Sequence, residues 1–248
     1  MSGETAVKGH FYVVGVGPGA PDLLTLRAAN IIRSSDVLIA PRAETSTESL
    51  ALDVARECID GQEIVEQIYP MARDEQQTER CWAEIADIVT ERCARGQAVA
   101  HLTIGDPLLY STAGYLMDHI AGRLPEERWH VVPGISAFQA AAAATRQTLT
   151  RQNDRLTLMP AVNIPEVEAA LDSCETLVLY KVGPRLARLT AALDERGLAG
   201  QATLVSRASQ PGMETIQHGL RGASDARAGY MSTVILRLGR RGWRDTSE

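Results

Sequence analysis

Short apolar runs alternate along this chain with longer stretches in which apolar residues return every three or four positions. The runs are FYVVGV (11–16), DVLIA (36–40), AVAHLTI (98–104), WHVV (129–132), LTLM (156–159), TLVLYKV (176–182), ATLVS (202–206) and TVILRL (233–238). Their Val, Ile and Leu content predicts strands buried in mostly parallel sheets. The amphipathic stretches predict helices over 24–34, 47–58, 75–95, 111–122, 135–147, 164–173, 185–196 and a short one over 222–228. Strand and helix in alternation predict an α/β fold, with two α/β domains built on mostly parallel or mixed sheets. ETIQHGL (214–220) is a late segment suited to antiparallel pairing. AGRLPEERW (121–129), with Gly122, Pro125 and several charges, predicts a linker between an N-terminal domain (1–123) and a C-terminal one (124–248).

Composition narrows the function. Apolar residues make up 45% of the 248, enough for a full core. The formal charge of −6 argues against a nucleic-acid binder that works by its overall field. Cys58, Cys81, Cys93 and Cys174 form no C-x-x-C pair, and no histidine stands at zinc spacing to them. They read as reduced packing thiols of a cytoplasmic protein, with no metal site. MSGETAVKGH lacks the apolar core of a signal peptide, and no apolar run is long enough to span a membrane.

Three loops carry the candidate chemistry. In FYVVGVGPGAPDLLTL, Gly15, Gly17 and Ala20 fit the dinucleotide fingerprint G-x-G-x-x-G/A. The rest of that pattern fails. Pro18 and Pro21 bracket the turn, so a helix can start only after Pro21 or Asp22. The acid expected about 20 residues on belongs at the carboxyl end of the second strand. Asp36 has the separation but opens its strand, and four residues at roughly 3.3 Å each put it at the wrong end. An NAD-dependent dehydrogenase is therefore disfavoured, although the glycines still imply close backbone approach to a ligand. The second loop is HLTIGDPLLYST (101–112), where Gly105 frees the backbone, Asp106 offers acceptors and Pro107 fixes the turn. It is no P-loop, since no G-K-[ST] follows. The third is VVPGISAFQAAAAAT (131–145), a strand ending at Pro133-Gly134 before a helix of small residues that Ser136 is suited to cap.

Five blocks, in order, carry a resemblance: VGVGPGAPDLLTLRAANIIRSSDVLIAP (14–41), IGDPLLYSTAGYL (104–116), VVPGISAFQAAAA (131–143), TLVLYKVG (176–183) and VSRASQPGMETI (205–216). Together the chain resembles the tetrapyrrole methyltransferase family. The resemblance implies a homodimer of two-domain subunits that binds S-adenosylmethionine between its domains, methylates macrocycle carbons and releases S-adenosylhomocysteine. Within the family the blocks look most like enzymes of cobalamin biosynthesis that methylate carbon 20 of precorrin-2, or of its cobalt-containing counterpart. Carried over residue by residue, the implied cofactor contacts are Pro18, Ile104, Gly105, Asp106, Leu109, Ser136, Ala137, Lys181, Val182 and Ala208. The register at 181–182 stays open by one residue. Members that methylate uroporphyrinogen carry an aspartate where Pro41 stands here, which counts against that substrate and leaves no inherited base.

A polycarboxylate macrocycle needs local arginines on a chain of this charge. Arg42 and Arg207 flank the cleft loops; Arg146, Arg151 and Arg155 follow the alanine helix; Tyr110 and Tyr115 are suited to face a ring. The resemblance leaves two other readings open: a sister methyltransferase acting at another ring carbon, and a tetrapyrrole carrier that needs no methyl donor.

Overall fold

The structure, a computed structural model, describes residues 3–43, 46–69, 75–223, 229 and 231–239. Its chain falls into two compact units, residues 1–136 and 137–248.

The first unit holds a parallel sheet in the order β3-β2-β4-β1-β5. Its strands are β1 (Phe11–Gly15), β2 (Val37–Ala43), β3 (Glu63–Tyr69), β4 (Val99–Thr103) and β5 (Trp129–Val132). Helices α1 (Leu26–Ser34) and α2 (Leu50–Ala55) pack on one face, with Ile31, Ile32 and Val54 against Tyr12, Val14 and Leu102. Helices α3 (Glu75–Ala94) and α4 (Ala113–Ile120) supply Trp82, Ile85, Val89 and Leu116 to the other face, against Phe11, Val13 and Ile39. Every β1 residue is buried, which is why that strand reads as an unbroken apolar run.

The second unit holds a mixed sheet in the order β6-β7-β10-β8-β9. Its strands are β6 (Leu156–Pro160), β7 (Thr176–Tyr180), β8 (Ala202–Ser206), β9 (Thr215–His218) and β10 (Ser232–Arg237). β10 runs antiparallel to both β7 and β8, and β9 pairs antiparallel with β8, as the 214–220 segment suggested. α6 (Ile164–Leu171) and α7 (Leu186–Glu195) cover one face. On the other, Ala140, Ala141 and Ala142 of α5 (Ala137–Ala144) join Val178, Val205 and Ile235 in one cluster, where small side chains let helix and sheet approach closely.

Three expectations are corrected. β3 was not foreseen: it is an edge strand whose EIVEQIY mixes Glu63 and Glu66 with Ile64 and Ile68 on its exposed positions, which breaks the buried apolar pattern. β2 continues through Pro41 and Arg42 instead of stopping before them. Beyond Ile39 it pairs with β3 alone, where a missing proline N–H is tolerated. The break at 121–129 does not divide the units, because β5 follows it and pairs with β1, and the division falls after Ser136. Most of the helix expected over 222–228 lies outside the described residues.

Candidate functional site

In the first unit, the loops after β1, β4 and β5 are fastened together. Val16 N–H donates to the Thr103 carbonyl at 2.9 Å. Gly17 and Gly105 then form a two-way backbone bridge: Gly105 N–H donates to Gly17 O at 2.7 Å, and Gly17 N–H to Gly105 O at 3.3 Å. Both glycines hold a left-handed φ, 79° and 76°, which the bridge requires and other residues resist. Gly15 and Gly134 allow the loops to touch. A Cβ on Gly15 would stand 2.6 Å from Gly105 O and 2.7 Å from Gly134 N; one on Gly134 would stand 2.1 Å from Gly105 O. A Cβ on Gly105 itself would meet nothing within 4 Å, so that face of the loop is open.

The glycine loop does not feed a helix directly. A 3₁₀ turn occupies Pro21–Leu23, and α1 begins only after Thr25, whose side chain accepts the Ala28 N–H at 3.1 Å. Asp36 stands just before β2, where its carboxylate pairs with Lys8 and accepts the Ala98 N–H at 2.7 Å. That is the amino end of the strand, and the pairing holds the Asp36 carboxyl below its ordinary range despite the opposing effect of its burial. The dinucleotide fingerprint is thus not completed.

The structure places Pro18 on the loop after β1, Ile104, Gly105, Asp106, Leu109 and Tyr110 on the loop after β4, and Ser136 on the loop after β5, and joins these loops at Gly17–Gly105 and Asp106–Gly134. Pro18, Gly105 and Ser136 are buried, while Tyr110 is exposed with a φ of 51°. Asp106 spends both carboxylate oxygens inside the unit: Oδ1 accepts the Leu108 N–H at 2.9 Å and Oδ2 the Gly134 N–H at 3.1 Å. Thr103 Oγ1 and Ser111 Oγ lie 2.9 Å apart, closing the same loop from below. Arg42 sits at the carboxyl end of β2, but its guanidinium is already engaged by Glu66 at 3.1 Å and by the Ser46 carbonyl at 2.6 Å. Tyr115 stacks near Trp82 at 6.0 Å on the α3–α4 side.

In the second unit, β7 and β8 are parallel to each other through β10, so the loops that follow them emerge at one end of the sheet. Lys181 and Val182 follow β7; Arg207 and Ala208 follow β8, with Arg207 N–H bonded to the Met231 carbonyl at 2.8 Å. Val182 and Ala208 are buried. Lys181, Arg207 and Ser209 carry left-handed φ values of 56°, 53° and 60°, uncommon for non-glycine residues and concentrated in these loops. Arg207 is exposed, with Nη1 3.0 Å from Met213 Sδ. Ala137 opens α5. Arg155 forms a two-point pair with Glu175, at 3.0 and 3.2 Å, which removes it from the free arginines.

Gly15 and Gly134 are the residues whose tertiary role sequence reasoning missed. Each was legible as a turn glycine, but their mutual contact depends on β1 lying beside β5. A groove of about 320 Å³ between α2 and β3 is lined by three carboxylates, Glu48, Asp53 and Glu66, and one cation, Arg56, a balance that disfavours a polycarboxylate there. Among the described residues, no cluster of three metal-ligating side chains occurs and no helix is long and apolar enough to cross a membrane.

Comparison with known proteins adds four findings. The model of the family Tetrapyrrole (Corrin/Porphyrin) Methylases matches residues 10–223. The cobalt-precorrin-2 C(20)-methyltransferase of Salmonella typhimurium is 36% identical over 234 residues, covering 93% of this chain and 97% of that protein. Among solved structures, a cobalt precorrin-4 methyltransferase superposes with a TM-score of 0.70 at 22% identity, over 92% of this chain and 95% of the other. The uroporphyrin-III C-methyltransferase of Thermus thermophilus, complexed with S-adenosylhomocysteine, gives 0.65 at 21%, over 92% and 97%.

Proposed function

Since this chain belongs to the tetrapyrrole (corrin/porphyrin) methylase family, we propose that it transfers a methyl group from S-adenosylmethionine to carbon 20 of precorrin-2, with or without cobalt, in cobalamin biosynthesis. The observation that carries this reading is the end-to-end similarity to a cobalt-precorrin-2 C(20)-methyltransferase. The cofactor contacts in this reading are Pro18, Ile104, Gly105, Asp106, Leu109, Ser136, Ala137, Lys181, Val182 and Ala208. The open face of Gly105 fits a ligand held by backbone groups. Arg207 and Tyr110 are the substrate-facing candidates. Arg42 contributes there only by giving up Glu66. The working form is a cytoplasmic homodimer.

Bound S-adenosylmethionine supplies an activated methyl group, and the nucleophile is an electron-rich ring carbon. The chain's own task is positioning and exclusion of water. Preformed loops suit that task, because the bridge between Gly17 and Gly105 leaves little to order on binding.

Calorimetric titration with S-adenosylhomocysteine, with NAD as the control, tests the reading. Micromolar binding of the first alone, about −8 kcal/mol, is expected. Binding of NAD alone, or of neither, overturns it. NMR of the methylated product then separates carbon 20 from the site of a sister enzyme.

A further inference from the structure

We infer that Asp106 is a positioning residue: its carboxylate ties the loop after β4 to the loop after β5, and it affects cofactor binding through the placement of those loops. The inference rests on the cofactor reading above and deepens it at Asp106: the contact there is through its backbone, while its carboxylate serves the loops.

The local sequence dictates half of the tie. Pro107 has no N–H, so the first donor after Asp106 is Leu108, and Oδ1 accepts it at 2.9 Å in a turn of two residues. The other half is long-range. Oδ2 accepts from Gly134 at 3.1 Å, 28 residues away. β1 lies between β4 and β5 in the sheet, so this bond reaches across the end of β1. It can do so only because Gly15 presents no side chain there, where a Cβ would stand 2.6 Å from Gly105 O and 2.7 Å from Gly134 N.

The two partners also explain the residue type. Both are N–H donors, so the side chain between them must accept twice. A carboxylate does this with two charge-assisted bonds. An asparagine turns an NH₂ toward one of the two donors, and a serine reaches only one. The backbone bridge between Gly17 and Gly105 fastens the β1 loop to the β4 loop, and Asp106 fastens the β5 loop to the same point. Three cofactor-candidate segments thereby share one anchor. With both oxygens aimed at backbone donors, the carboxylate serves the loops first.

The experiment combines amide hydrogen exchange by NMR, on ligand-free protein, with calorimetric titration by S-adenosylhomocysteine. The proteins are wild type, Asp106→Asn, Gly134→Ala and the double variant. Gly134→Ala parts the loops with Asp106 intact, because the new Cβ would stand 2.1 Å from Gly105 O. A tie predicts that wild type protects the Leu108 and Gly134 amides without ligand. Asp106→Asn should release at least one of them and leave the β6–β10 sheet amides unchanged. Each single variant should weaken S-adenosylhomocysteine binding about tenfold or more, and the double variant little further. Additive losses, or an Asp106→Asn variant that binds weakly with both amides still protected, would make the Asp106 carboxylate itself a direct ligand and overturn the tie. Failure of the wild type to bind S-adenosylhomocysteine would overturn the cofactor reading instead, and the amide exchange would still report on the tie.

Discussion

His101 stands in β4 with 1% of its surface exposed and neither ring nitrogen hydrogen-bonded. By strand alternation it shares the α3–α4 face with Val99, an apolar setting that penalises a charged ring. Burial pushes its pKa down to about 4. The unfolded chain, with an ordinary histidine near 6.5, then binds the proton first. Stability is fully present above about pH 6.5 and is lost as pH falls toward 4. This group alone should make the fold about 2 kcal/mol less stable at pH 5 than at pH 7. Replacing His101 by Leu should flatten most of that loss, as read by urea unfolding at the two pH values. Some acid sensitivity will persist, because burial, His130 and Arg128 also hold His10 below its ordinary pKa. Gly15 makes a second prediction at this scale. Gly15→Ala forces a Cβ against backbone atoms of two loops and should cost about 1–3 kcal/mol, measured by the shift in urea midpoint. The sequence announces Gly15 as the first glycine of the G-x-G-x-x-G/A pattern at the end of a strand. It does not announce the clash, because Gly105 and Gly134 reach Gly15 only through the strand order.

At the scale of the element, α5 ends in a Schellman turn: Gln147 N–H donates to Ala142 O at 2.9 Å and Arg146 N–H to Ala143 O at 3.1 Å. Arg146 occupies the left-handed position with a φ of 54°, where glycine is the unstrained choice. Arg146→Gly should therefore raise stability by about 0.5–1 kcal/mol, seen as a higher thermal midpoint. A rise in substrate KM in the same variant would mark Arg146 as a substrate contact held in a strained conformation. Buried elements were legible in advance because their pattern is set by burial itself: β1, β4, β7 and β8 read as apolar runs and are buried nearly throughout. β3 was illegible for the complementary reason. Its outer positions meet solvent, and Glu63 and Glu66 serve as ion-pair partners of Arg92 and Arg42. The Glu66 pair also shows why a free Arg42 could not be inferred from spacing, since β3 itself was not foreseen.

For the whole molecule, a net charge of −6 opposes a polycarboxylate substrate at long range, leaving capture to local cations such as Arg207. Arg207→Ala should raise substrate KM about tenfold while leaving S-adenosylhomocysteine affinity near wild type, because losing one charge-assisted pair is of that order. Initial-rate kinetics beside calorimetry would show the split, and equal losses in both would place Arg207 at the cofactor instead.

The mixed sheet bears on how the chain is made. β10 is the last described strand, yet it lies in the middle, with β6-β7 on one side and β8-β9 on the other. During synthesis the parallel sheet has all five strands once residue 132 has cleared the ribosome, whereas the second sheet consists of two unjoined halves from the release of residue 218 until that of residue 237. For those intervening residues, the edges of β7 and β8 stand open to wrong partners. A nascent chain stalled between these points should carry one finished unit and one that is protease-sensitive, waiting for its central strand.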